Sequence, residues 1–317
     1  MNKRESVGAS ALVYQVKFRA AFLSPAYWPT WFAVLLLFIL MCLPALVTDG
    51  IACLLGDAAR RLNGKRRNIA TINLKLSFPQ LDDAQRQRLL VQTFRAQMRS
   101  VLHYGLFWFA PRWLLKKRIL IDGEQHIQNS LQAGRSVIVM ASHSVGLEAA
   151  VSAITMRYPI SGPFKVMRNE VINWLVARGR TRFGTIIYSR EAGLRPIIRD
   201  VRAGQLMFYL PDEDLGKERS IFVPLFGVQK ATIPVLGRLA KSCNADVLPC
   251  ISCYDHRRRR YHIHLSPALD DFPQLDDDRD ARIMNRAIEE SIALCPAEYF
   301  WTLRLYRTRP EGESRFY

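Results

Sequence analysis

From about residue 118 onwards, short apolar runs (ILI, SVIVMAS, PFKVM, GTIIYS, QLMFYL, IFVPLF, DVLPCIS and YHIHL) alternate with stretches of helical period (GLEAAVSAI, NEVINWLVARGR, GLRPIIRDVRAG and IPVLGRLAKS). A strand buried on both faces needs a near-continuous apolar run, and helices between such strands provide parallel crossovers. The pattern predicts an α/β fold with a mainly parallel mixed sheet covered by helices. Upstream, LDDAQRQRLLVQTFRAQMRSVLHY places Leu90, Phe94, Met98 and Leu102 at four-residue spacing after an Asp82/Asp83 start signal, which predicts an amphipathic helix with a basic outer face. DDDRDARIMNRAIEESIALCP predicts a further helix ending before Pro296.

The N-terminal pattern differs. No charge occurs from Ala20 to Thr48, and WFAVLLLFILMCLPALV has the length and composition of a membrane segment, with no polar face for a buried core helix. Lys3, Arg4, Lys17 and Arg19 precede it and Arg60, Arg61, Lys65, Arg66 and Arg67 follow it, so neither flank dominates. With Pro44 inside the run and Tyr27, Trp28 and Trp31 at its entry, the expectation is a broken, monotopic helical anchor dipping into one leaflet, with the remainder on the cytoplasmic face. Three parts follow: residues 1–60 as membrane anchor, 61–117 as a helical segment and 118–317 as the α/β core.

Charge adds a class of partner. Lys and Arg number 45 against 28 Asp and Glu, a formal net charge of +17 with a pI near 10.0, so anionic partners are expected. Basic residues are spread along the chain, including HRRRR at 256–260, as suits a surface facing anionic lipid. The six cysteines point to a reducing compartment. CISC at 250–253 sits in a strand-like run whose odd offset sends the two thiols to opposite faces, and buried free thiols are expected there. G-x-S-x-G, G-x-x-x-x-G-K and G-x-G-x-x-G are absent, so hydrolase, nucleotidase and dehydrogenase readings lack their usual signatures.

In VIVMASHSVGLEAA a histidine follows an apolar strand and a glutamate stands five positions later at a helix start. Ligands of α/β sheets gather at the carboxyl ends of strands, where His143 falls. If Glu148 occupies the first helical turn, the two can meet as a general base and the acid that orients it. Taken bare, the spacing fits a capping or solvent-facing pair equally well.

ASHSVGLE resembles the H-x4-D/E block of the glycerolipid acyltransferase superfamily, in the glutamate form of the late acyltransferases of bacterial lipid A, the lauroyl and myristoyl transferases. The similarity continues in order through NLKLSFPQL, GPFKVMRN, RGRTRFG, LPDEDLG, FVPLFGVQKAT and YFWTLRLYRTRP, nearly the whole chain. It implies transfer of an acyl chain from an acyl carrier protein thioester to a hydroxyl on a hydroxyacyl chain of a lipid A precursor, at the bacterial inner membrane. His143 then matches the base and Glu148 its partner, and Arg168 matches an arginine for acceptor phosphate. Asp212 and Asp214 fall in the block usually read PDQD-x-G, with Glu213 in place of glutamine; Leu305 and Tyr306 depart from a C-terminal stretch normally richer in Arg and Phe.

A thioester is already activated, so this reaction needs no metal and no cofactor; the acyl carrier thioester is a co-substrate. Neutral His143 suits removal of the alcohol proton, and backbone N–H groups at the start of GLEAAVSAI are candidates for the oxyanion. Arg168 ends a strand-like run beside Asn169 at a helix N-cap, and Arg178 and Arg180 are weaker candidates for binding substrate. Asp212 and Asp214 are read as an acceptor-orienting loop. His262 and His264 share one strand face, read as an exposed edge. Expected partners are acyl carrier protein, the lipid A precursor and anionic inner-membrane lipids, with no role for nucleic acid. Rival readings are a lysophosphatidic or glycerol-phosphate acyltransferase, and a non-catalytic membrane-anchored polyanion binder, which gives no reason for His143 and Glu148.

Overall fold

The structure is a computed structural model that describes residues 13 to 317; Lys3 and Arg4 lie outside the described residues. Helix α1 (Trp28–Cys42) ends at Leu43-Pro44, where the proline cannot continue the backbone ladder, and α2 (Ala45–Leu62) begins beyond it. By length and composition the stretch Pro25–Cys42 could cross a membrane, and 6% of it is buried against the protein. Trp28, Phe32, Leu35, Phe38 and Ile39 of α1 and Leu46, Leu54 and Leu55 of α2 are exposed. Helices α3 (Gly64–Ser77), α4 (Asp83–Leu102), α5 (Tyr104–Phe109) and α6 (Arg112–Arg118) lead to the sheet. Gly105 is where α5 meets α1: a Cβ there would stand 2.2 Å from the carbonyl oxygen of Leu37.

The α4 boundary follows the sequence signal. Asp82 accepts from the Gln85 N–H at 2.7 Å while the Gln85 side chain returns a bond to the Asp82 N–H at 2.8 Å, closing a capping box. The outer face of α4 is not uniformly basic, however. Arg99 turns inward, 3% exposed, and pairs with Glu298, itself 6% exposed. Its guanidinium also lies 4.1 Å from the centre of the Tyr254 ring.

The core sheet contains β1 (Ile119–Asp122), β2 (Ser136–Ala141), β3 (Ile160–Phe164), β4 (Ile186–Ser189), β5 (Leu206–Tyr209), β8 (Ala245–Asp255) and β9 (Arg260–Leu265) in the order β1-β9-β8-β2-β5-β3-β4. All neighbours are parallel except β8 and β9. The crossovers include α7 (Glu124–Gln132), α8 (Leu147–Thr155), α9 (Glu170–Thr181), α10 (Arg195–Arg202) and α11 (Leu236–Cys243). Both faces of β2 are buried: Val137, Val139 and Ala141 pack with α8, while Ile138 and Met140 pack on the side of α10, α11 and α12 (Asp277–Leu294). That explains its unbroken apolar run.

Several expectations need correction. The strand read from PFKVM ends at Phe164, where its partner β4 also ends, so Lys165 to Arg168 form an exposed loop. A hairpin of β6 (Ile221–Leu225) and β7 (Val228–Thr232) forms a separate two-stranded sheet; β7 lies in VQKAT, which carries no apolar run. Its turn places Phe226 and Gly227 at φ of 52° and 75°, the twist that suits a two-residue hairpin connection. Strand β9 lies inside the sheet rather than at its edge, and Asp122 pairs with His262 at 3.0 Å and His264 at 3.5 Å. Cys250 and Cys253 do face opposite sides, but Cys253 is bonded to Cys295 in a disulfide, leaving Cys250 as the buried free thiol of that pair.

Candidate active site

Strands β2 and β5 are parallel neighbours, so the segments leaving their carboxyl ends emerge side by side. One carries His143, two residues beyond β2; the other carries Asp212, three residues beyond β5. Asp212 is fully buried and holds His143 at two points: Oδ1 lies 2.6 Å from Nδ1, and Oδ2 accepts the backbone N–H of His143 at 2.7 Å. Tyr299 donates its hydroxyl to the same Oδ2 at 2.8 Å. Asp212 bound to Nδ1–H leaves Nε2 as the basic nitrogen.

The electrostatics follow from that contact. Burial disfavours a charged imidazole, yet the charge and hydrogen bond of Asp212 outweigh it and hold the His143 pKa above its ordinary value. Burial opposes ionisation of Asp212 as well, but the His143 charge and hydrogen bonds, together with Tyr299, bring it down to about 2. Lys230 on β7 is fully buried, donates to the Ala231 carbonyl at 3.2 Å, and acts on His143, Asp212, Asp214 and Glu213 through its charge. Burial lowers its own pKa against the pull of those carboxylates.

The expected union of His143 with Glu148 is not the one the fold makes. Glu148 does occupy the first turn of α8, but its carboxylate accepts from Arg180 on α9, with Nε at 3.1 Å from Oε1 and Nη2 engaged as well. His143 stands in the loop four residues before α8 and Glu148 turns to α9, whereas Asp212 reaches His143 across 69 residues because their strands are adjacent. The carboxylates of Asp212 and Asp214, read as an acceptor-orienting loop, are both engaged within the protein. Asp214 accepts from the Thr308 N–H at 2.7 Å, the Thr308 hydroxyl at 2.8 Å and the Gly216 N–H at 3.1 Å, fastening the C-terminal segment to this loop.

A cavity of about 380 Å³ opens beside the pair. His143, Arg180 and Glu213 line it together with apolar groups such as Leu147, Val151, Ile187 and Phe208. Arg168 stands outside it, exposed on the loop after β3. Asn169 is the N-cap of α9, accepting the Ile172 N–H at 3.0 Å, and its Nδ2 donates to Thr30 of α1 at 2.9 Å. That loop therefore lies beside the apolar N-terminal helix, with Val166 and Met167 exposed on it.

Segment 296–300 braces the histidine loop from behind. Phe300 N–H donates to the His143 carbonyl at 3.0 Å, and Val145 N–H donates to the Glu298 carbonyl at 2.7 Å. The Val145 and Leu147 amides are thus engaged within the protein, the latter with Ser144 at 3.2 Å, so neither is available to an oxyanion. Gly146 lets this turn press against β8, since a Cβ there would lie 2.5 Å from the Ser252 hydroxyl. Tyr299, Lys230 and the Arg99–Glu298 pair went unread in the sequence; the YFWTLRLYRTRP block marked the neighbourhood of Tyr299 without its role.

Residues 15–308 match the profile of the bacterial lipid A biosynthesis acyltransferase family. The chain belongs to this family. It is 32% identical over 306 residues to a lipid A biosynthesis acyltransferase of Haemophilus influenzae, an alignment covering 96% of this chain and 95% of the relative. It is 31% identical over 297 residues to the lipid A biosynthesis lauroyltransferase of Escherichia coli, covering 93% and 97%. With the myristoyltransferase of the same organism the identity is 31% over 305 residues, covering 96% and 94%.

Proposed function

We propose that the chain moves a fatty acyl group from acyl carrier protein to a hydroxyl on a hydroxyacyl chain of a lipid A precursor, at the cytoplasmic face of the bacterial inner membrane. The observation that carries this reading is the His143–Asp212 pair, whose histidine lines a largely apolar cavity. His143 Nε2 takes the proton of the acceptor hydroxyl as its oxygen attacks the thioester carbonyl, and Asp212 fixes the ring and stabilises the imidazolium. When the tetrahedral intermediate collapses, the C–S bond breaks and His143 returns the proton to the leaving thiolate. Arg180, immobilised by Glu148 and facing the same cavity, supplies positive charge to the developing oxyanion. Glu148 is thus a positioning residue for Arg180. Arg168 meets the acceptor's phosphate at the lipid surface, where α1, α2 and anionic lipid hold the protein.

The test uses purified chain in detergent with acyl carrier thioester and a lipid A precursor, the product being read by mass spectrometry. One acyl chain's mass is gained by the precursor with the native chain, and none with His143→Ala. Absence of transfer by the native chain, with this donor and acceptor, rejects the proposal.

A further inference from the structure

A second cavity, of about 460 Å³, lies in the C-terminal segment, away from the apolar one. Its walls carry Arg304, Arg307, Arg309, Arg315 and Thr308, together with Glu313 and Tyr317. Glu313 is already used: Arg309 pairs with it, donates to the Gln229 carbonyl and lies 4.3 Å from the centre of the Phe316 ring. Arg309 is therefore part of the wall. Arg307 is half-exposed, donates to the Asp214 carbonyl at 3.3 Å and stands 4.0 Å from the Asp214 carboxylate. Arg304 and Arg315 are exposed and have no anionic partner among the described residues.

Four guanidinium groups set against the Glu313 and Asp214 carboxylates leave this concave surface positive, with Arg304 and Arg315 free to meet an anion, and their planar forks match phosphate oxygens. The cavity is also coupled to the reacting centre. Thr308, in its wall, holds Asp214 by two bonds, and Asp214 is two residues from the Asp212 that orients His143. We propose that Arg304, Arg307 and Arg315 bind a phosphate ester and so anchor the phosphorylated part of a substrate whose reacting group lies at His143.

This rests on the acyl-transfer reading. Two substrates of that reaction carry the required chemistry: the phosphorylated sugar of the acceptor, and the phosphodiester of the carrier protein's prosthetic arm. Initial rates with Arg304→Ala/Arg315→Ala, varying each substrate at saturation of the other, identify the source. The KM for the phosphate-bearing substrate rises about tenfold or more, the size of losing charge-assisted hydrogen bonds, while kcat changes far less. Arg304→Lys/Arg315→Lys restores part of the loss. Unchanged KM for both substrates, or a fall in kcat that lysine does not relieve, overturns the proposal.

Calorimetric titration of pyrophosphate into the full-length chain separates this idea from the reaction itself. Binding that the double alanine variant weakens about tenfold supports the cavity even if no acyl group is transferred. Equal heats from the native chain and the variant overturn it.

Discussion

Oδ2 of Asp212 accepts from both the His143 backbone N–H, at 2.7 Å, and the Tyr299 hydroxyl, at 2.8 Å, while its Oδ1 meets the His143 ring. One carboxylate thus sets the position of the backbone, the tautomer of the ring and the charge it can hold. Replacing it by an amide keeps the shape and removes the charge. Asp212→Asn is expected to lower kcat by about 10²- to 10⁴-fold, the range of general-base catalysis, with native-like thermal unfolding as the control for folding.

Tyr299→Phe removes one hydrogen bond to a charged acceptor and leaves the ring packed against Trp301, with ring centroids 4.9 Å apart. About a tenfold fall in kcat is expected, with little change in KM for either substrate. Steady-state rates with each substrate varied in turn check it.

The pH dependence has a definite sign. The raised His143 pKa means that the imidazolium stabilises the folded state fully below the ordinary value near 6.5, and that this stabilisation is lost as pH rises through the higher folded value. Catalysis runs the other way, because the base must be neutral: kcat/KM falls on acidification with a midpoint above about 6.5. Lys230→Met removes a charge that opposes the imidazolium, so the midpoint moves upward. A pH-rate profile of both proteins reads this directly.

Arg99 and Glu298 are a nearly solvent-free pair joining α4 to the segment that braces the histidine loop. Arg99→Met leaves the carboxylate buried without its partner and is expected to cost about 3–5 kcal/mol in urea unfolding. Adding Glu298→Gln recovers part of the loss, because the uncompensated charge is gone.

Gly162 lines the apolar cavity, and a Cβ there would meet only the Phe208 carbonyl oxygen, at 3.9 Å. Larger side chains enter the cavity rather than collide with backbone. Gly162→Leu should shift preference toward shorter acyl donors, measured by mass spectrometry of products from a mixture of chain lengths.

The alternation of apolar runs with helical stretches revealed the α/β architecture because parallel strands buried on both faces must be apolar throughout, as β2 is. The proline break in the N-terminal apolar segment was equally legible, since Pro44 acts through its own backbone. Strand β7 was hidden because its role is local pairing with β6, which VQKAT meets without a hydrophobic run. The place of His143 just after a strand was legible, since the apolar run of β2 ends two residues before it. Its hydrogen-bond partner was not, because Glu148 is near in sequence while Asp212 is near in space, through a strand order no short window records. Long range also hid the Cys253–Cys295 bond, 42 residues apart, and the inward turn of Arg99.

Titrating the His143 ring by ¹⁵N NMR, in the native chain and in Asp212→Asn and Glu148→Gln, addresses the orienting acid most directly. The expected result is a native midpoint above about 6.5 that drops by about one to three pH units in Asp212→Asn and stays in place in Glu148→Gln. A midpoint that moves with Glu148 and ignores Asp212 would contradict the account.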